Sequence, residues 1–576
     1  METRYGERIY YKAPVLLNKH NASRLLLSFG PGSSTLPLSN MVASSGRRRN
    51  VFVAALIAMS FAIVFYYNSY PDPEGLIAML PHGAKLLNTT LPSSLLSPSS
   101  NSSKTSPDSG SDSAPEPKTS RLHYLIPASQ PNLHFCYNLV SSAVNRYPVP
   151  TLLGWHGEDE FDAAKTHLAK LRTMERYFNS LPPDEDDDLA IIVDGYDILI
   201  QLPPEIMVER YFQVAERADA HLAQRFDISV GELHRRGLRQ TIFLGPDKIC
   251  WPIDPVAPRC WTAPESPIPP VAWGPDRGDN AMFYADPRWL NSGTIMGPIG
   301  DLRKYIAATM DEIRATHDPL YEFRESDQYY MANVWGRQEY WRSRMMGSEL
   351  PEFPPDKIIP AKSDPFQTTE YHVAIEYESA LFQTRAGYQP YFGYMQFNES
   401  GLTTKLAVDV REQGPLFEPP TIKMPKSIVA SLSKLYDAIP EAHPGSTSAD
   451  WLGVVELGVN FITHHIYGLW HCTGPKEFVQ FEYPTLWFYP YVKSLLKAAV
   501  KASQAGEPLT HKLIDGRKWV PKNYYPAGDT PDDEFGGAWT DLNGEFAPWR
   551  DLCEPHNDLL FEGEESTPTL GAGGLV

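Results

Sequence analysis

Apolar positions in this chain fall into short β-branched runs, separated by longer stretches in which they recur every three or four residues. Residues 122–127, 150–155, 189–193 and 241–244 are compact runs of the kind that fills a buried strand. Between them, residues 133–144 are compatible with a helix. Phe161, Ala164, Leu168, Leu171, Met174, Phe178 and Leu181 share one face of a second helix, and residues 204–217 predict a third. Strands alternating with helices predict parallel pairing and an α/β layered domain whose ligand sits at the carboxyl ends of the strands.

The N-terminal part reads differently. Residues 51–67 (VFVAALIAMSFAIVFYY) carry no charge and follow Arg47, Arg48 and Arg49. This is near the lower length limit for a spanning helix, too far from residue 1 for a signal-peptide core, and predicts a signal anchor. The arginines would keep residues 1–50 as a cytosolic tail, leaving the rest luminal in a type II arrangement. A short span suits a thin Golgi or ER membrane. Residues 68–120, dense in Ser and Pro, predict a disordered stem, and Asn88, Asn101 and Asn398 open glycosylation sequons on the same side. The folded domain is expected over residues 121–500, with 385–463 partly an insertion and 501–576 a C-terminal extension.

Composition narrows the classes. Lys plus Arg number 51 against 70 Asp plus Glu, a net charge of −19, which argues against nucleic acid as a partner. The five cysteines include no C-x-x-C pair, which disfavours a structural zinc site. Cys250 and Cys260 flank a Pro-rich loop and are candidates for a disulfide in an oxidising compartment.

The chemistry starts where the run 189–193 ends, at Asp194-Gly195-Tyr196-Asp197. Two carboxylates at a strand mouth suit a hard divalent cation, and such a cation neutralises a bound diphosphate. A plain strand-to-turn junction uses the same residue types. Three further segments stand out: Leu290-Asn291-Ser292-Gly293-Thr294, as a loop toward a hydroxyl-rich ligand; Asp327 and Gln328, near a helix N-terminus; and His471-Cys472-Thr473-Gly474-Pro475-Lys476, an imidazole, a turn and a cation. Asp327 has a plain alternative role as a helix N-terminal charge, and His464 and His465 compete for any role given to His471.

In this order the segments resemble the glycosyltransferase domain of the procollagen lysyl hydroxylases and, more distantly, the collagen galactosyltransferases. That family carries V-D-S-Y-D, F-C-W-P, L-N-S-G-G, D-D-Q, I-F-Q and H-G-N-G-P, matched here by residues 193–197, 249–252, 290–294, 326–328, 381–383 and 471–475. The resemblance covers residues 122–476 and implies a GT-A-like, Rossmann-type nucleotide-sugar domain. It implies that Asp194, Asp197 and His471 hold Mn²⁺, that Tyr196 stacks on uracil, and that a UDP-sugar is the donor. Asn291, Asp327 and Gln328 would face the sugar and acceptor, with Trp251 beside them, while Lys170, Gly474 and Lys476 would lie at the diphosphate. Thr294 and Cys472-Thr473 depart from the motifs and narrow the space near the donor. The residues after the last motif hold no counterpart of the iron-dependent hydroxylase domain, so a relative lacking it is expected.

The expected activity is metal-dependent transfer of a sugar from a UDP-sugar to a hydroxyl of a protein or glycan, with Asp327 as base. A membrane-anchored glycosidase and a catalytically inactive carbohydrate-binding scaffold are the alternatives.

Overall fold

The computed structural model describes residues 117–163, 165–275, 282–352, 354–362, 364–528 and 534–566. The expected anchor and nearly all of the expected stem lie outside these residues. No helix among the described residues is long and apolar enough to cross a membrane.

In chain order the strands are β1 (Thr119–Pro127), β2 (Thr151–Leu153), β3 (Leu189–Val193), β4 (Ile198–Ile200), β5 (Ile242–Asp247), β6 (Trp289–Pro298), β7 (Val373–Ile375) and β8 (Phe382–Thr384). They continue as β9 (Phe392–Gln396), β10 (Thr403–Lys405), β11 (Thr421–Lys423), β12 (Glu456–Asn460), β13 (Leu469–His471), β14 (Lys518–Pro521), β15 (Gly537–Thr540) and β16 (Phe546–Pro548). The central sheet runs β16-β15-β2-β1-β3-β6-β5-β7, with β14 also beside β1. Its pairs are parallel except at β6, antiparallel to both β3 and β5, and at β16. The domain is therefore α/β with a mostly parallel mixed sheet, compatible with a Rossmann-like arrangement.

The run 189–193 is apolar throughout because both of its faces are covered. Leu189, Ile191 and Val193 join one core with the helices Leu133–Val144 and Val492–Gln504. Ala190 and Ile192 join the other, packed by the helices Ala169–Ser180, Ile299–Thr316 and Asp327–Met346.

Several expectations need correcting. The helix expected from Phe161 begins only at Ala169, and Phe161 sits in a separate single turn, Asp159–Phe161, where the Arg176 guanidinium covers its ring at 4.4 Å. Strand β1 opens at Thr119, inside the segment read as stem, because β14 pairs with its first four residues. Residues 290–294, read as a loop, lie within β6; the Asn291 amide is engaged inside the protein and all of 290–294 are buried, so their polar character hid the strand. The helix 204–217 continues to Arg225 and the strand 241–244 to Asp247. Residues after 500 supply β14, β15 and β16 to the central sheet. Within 385–463, Ile428, Leu432, Leu435 and Tyr436 of the helix Lys426–Asp437 bury into the first core.

Candidate functional site

The site forms where β3 ends and the chain turns into β4. Gly195 permits that turn: a Cβ there would lie 2.7 Å from the Pro127 carbonyl and 3.2 Å from Ala128 Cβ. The turn is held by Asp194 N–H donating to the Gly293 carbonyl (2.9 Å) and by Asn138 Nδ2 donating to the Asp194 carbonyl (3.1 Å). Strand β13 lies antiparallel to β4 with His471 opposite Ile198, which brings the imidazole beside Asp197. One ligand atom each from Asp194, Asp197 and His471 lie within 4.8 Å of one another.

Asp197 is 2 % exposed. Its Oδ2 meets His471 Nε2 at 3.1 Å and also accepts from Lys476 Nζ, while its buried Oδ1 has no partner. Burial alone would raise this carboxyl, but the His471 and Lys476 charges outweigh it and hold Asp197 well below the usual carboxylate range. His471 Nδ1 is likewise buried without a partner. Gly293 faces this group from β6, and a Cβ there would lie 2.2 Å from His471 Cε1 and 2.8 Å from Asp194 Oδ2. Two carboxylates, an imidazole, an unsatisfied buried carboxylate oxygen and a facing glycine fit a divalent cation that accepts mixed oxygen and nitrogen ligands, Mn²⁺ among them.

Two lysines border the group. Lys170 Nζ reaches Asp194 Oδ1 (2.6 Å), Asp327 Oδ2 (2.8 Å) and the Ser292 carbonyl (3.0 Å). Burial would lower its pKa, but Asp194 and Asp327 reverse this and keep it charged. Asp327 is pushed upward by burial and more strongly downward by Lys170, so it remains an anion. It opens the helix Asp327–Met346, whose N-cap Ser326 accepts from Tyr329 N–H. Lys476 follows a turn in which Gly474 takes φ +87°, a left-handed conformation suited to glycine.

Asn291 and Gln328 converge on a carboxylate that the sequence reading missed, Asp247 at the end of β5. Asn291 Nδ2 lies 3.2 and 3.3 Å from its two oxygens, and Gln328 Nε2 donates to Oδ2 at 3.1 Å. The other ends of both amides are also engaged: Asn291 Oδ1 accepts from Gly293 N–H and Gln328 Oε1 from Ser292 N–H. Burial pushes Asp247 up to about 6 against these amide hydrogen bonds. Its signal was its place: like Asp194, it ends a buried strand.

Tyr196 packs against the first core, and its hydroxyl is tied to residues 129 and 130. Trp251 stands apart, 41 % exposed, its ring meeting Phe323 edge-on at 5.3 Å. The loop carrying it is closed by the Cys250–Cys260 disulfide. Of the competing histidines, His465 pairs with Glu378 at 3.3 Å, and only His471 joins the two aspartates.

A second group, His123, Glu185 and Asp188, gathers at the opposite end of β3. There Lys522 and Arg121 already bind both carboxylates, so it is a buried ion network. Compared with models of known protein families and with curated protein sequences, the chain matches none.

Proposed function

We propose that this chain is a membrane-anchored glycosyltransferase of the secretory pathway, moving a sugar from a UDP-sugar to a hydroxyl of a protein or glycan with the aid of a divalent cation such as Mn²⁺. The observation that carries the reading is the convergence of Asp194, Asp197 and His471 at the carboxyl end of β3, with Asp197 Oδ1 buried and partnerless. The mostly parallel sheet with its charged group at this edge is compatible with a GT-A-like domain. Two disulfides, Cys136–Cys553 and Cys250–Cys260, agree with a luminal location.

When bound, the cation would act as a Lewis acid toward the departing diphosphate. The chain's own residues would do the rest. Asp194, Asp197 and His471 would hold the ion, Lys170 would brace Asp194 through its hydrogen bond and keep Asp327 ionised, and Asp247 would orient the amides of Asn291 and Gln328. Asp327, held as an anion by Lys170, is suited to stabilising positive charge at the sugar and is a weak base. Asp247, pushed up to about 6, is the carboxylate whose proton affinity suits accepting a proton near neutral pH.

The test is thermal unfolding of the full chain in detergent. UDP should raise the melting temperature only with Mn²⁺ present, since a ligand at about a hundred times its Kd adds about 2.7 kcal/mol to the native state. Asp197→Asn and His471→Ala should abolish the increment, and His465→Ala should retain it. If the first two variants keep the increment, the site assignment is wrong; an increment that never needs Mn²⁺ removes the metal from the mechanism.

A further inference from the structure

The two lysines beside the aspartates are held in different ways. Lys170 has a side chain 12 % exposed, and its ammonium engages two carboxylates and one carbonyl, enough acceptors for all three of its protons. Lys476 has a side chain 50 % exposed and engages Asp197 Oδ2 and the Cys472 carbonyl, the latter at 3.1 Å. The first lysine is locked between elements. The second reaches in from a short turn, and the remainder of its side chain lies toward water.

The partner of Lys476 is itself unevenly used. Asp197 Oδ2 takes both the His471 imidazole and the Lys476 ammonium, while Oδ1 takes nothing. The turn's base is fixed: Cys472 N–H donates to the Asp197 carbonyl (2.8 Å), and Ala386 N–H donates to Thr473 Oγ1 (2.7 Å). Beyond that base come Gly474 and Pro475, then Lys476. A lysine side chain of four methylenes on such a turn can leave one oxygen without moving β13.

We propose that Lys476 is an exchangeable counter-ion: in the cation-free protein its ammonium occupies an Asp197 oxygen that a divalent cation takes on binding, and the displaced ammonium then serves an anionic group of the incoming ligand. The inference rests on the metal site assigned above. A dication held by two carboxylates is favoured over a monocation held by one, so exchange runs in that direction when the cation is present. An ammonium released at the rim would then meet the cation's anionic ligand, which the same cation attracts. Cation and nucleotide would therefore bind cooperatively, with Lys476 as part of the coupling. Lys170, whose bonds leave no route outward, takes no part in the exchange.

Amine labelling of the full chain, read by mass spectrometry, tests this directly with Mn²⁺ and UDP as probes. Mn²⁺ alone should raise the acylation rate of Lys476 several-fold, adding UDP should lower it again, and Lys170 should stay unreactive throughout. In parallel, Lys476→Met should bind Mn²⁺ alone more tightly, by about tenfold if the coupling is of ordinary size, and bind UDP in saturating Mn²⁺ more weakly. Electron paramagnetic resonance of free Mn²⁺ reports the metal affinity without any activity assay. Wild-type protein that binds Mn²⁺ with no change in Lys476 labelling would overturn the exchange while leaving the metal site standing. Protein that binds no Mn²⁺ would overturn the site itself and the exchange with it.

Discussion

At the scale of single residues, the site depends on an absence. Gly293 sits in the middle of β6, where a side chain would be ordinary, yet a Cβ would enter the space shared by His471 and Asp194. Gly293→Ala should therefore turn the His471 ring out of the group while the strand keeps its pairing. The expected cost in unfolding free energy is about 1–3 kcal/mol, the usual range for overpacking. The Mn²⁺-dependent UDP increment in melting temperature should vanish in the same variant; a preserved increment would show that His471 is not needed at the ion. The sequence made Asp194, Asp197 and His471 legible because each stands at a strand end or in a motif. Asp247 and Asn138 were missed: Asp247 ends a buried strand as Asp194 does but stands in no motif, and only the fold shows that it holds Asn291 and Gln328 while Asn138 holds the Asp194 carbonyl.

At the scale of elements, β3 joins two charged ends of opposite purpose. Its carboxyl end opens on the candidate site, and its amino end receives the acidic run from Asp184 to Asp188. That run is bound by its neighbours: Arg303 takes Asp186, Lys118 takes Asp187, and Arg121 and Lys522 take Glu185. His123 is buried in this network with Nε2 3.8 Å from Asp188 and 3.9 Å from Glu185. Desolvation by burial lowers its pKa, more strongly than its contact with Asp188 raises it. A histidine whose folded pKa is depressed contributes stability that is present above its unfolded value of about 6.5 and is lost as pH falls through the folded value. Denaturant unfolding should accordingly show stability falling below about pH 6.5, and His123→Gln should flatten that fall. An unchanged pH slope in the variant would assign the acid sensitivity to other groups. Element existence was largely legible, since β3 is a short unbroken apolar run and the helix Leu133–Val144 falls in a stretch compatible with a helix. The antiparallel course of β6 was not, because direction depends on how the chain crosses between β5 and β6, which no local pattern encodes.

At the scale of the whole domain, the end of the chain is stitched back onto its beginning. Strands β14, β15 and β16 join the central sheet, and Cys553 bonds to Cys136, 417 residues away, with Cα atoms 5.6 Å apart. Cys136 lies on the helix Leu133–Val144, which also carries Asn138 and so supports the turn at Asp194. Five cysteines allow many pairings, and nothing in the spacing favours a partner so remote, so this link could not be read from the sequence. Its energetic weight follows from chain entropy: closing so long a loop restricts the unfolded ensemble by roughly 6 kcal/mol in the loop-entropy treatment. The double variant Cys136→Ser/Cys553→Ser should therefore unfold at lower denaturant by several kcal/mol, while Cys250→Ser/Cys260→Ser, closing a far shorter loop, should lose less. Because the helix is packed on β4 and on the first core by apolar contacts independent of the bridge, the double variant should still show the Mn²⁺-dependent UDP increment at temperatures where it is folded. Unfolding midpoints that do not move, measured with oxidised wild type as reference, would mean that the sheet alone secures the C-terminal strands.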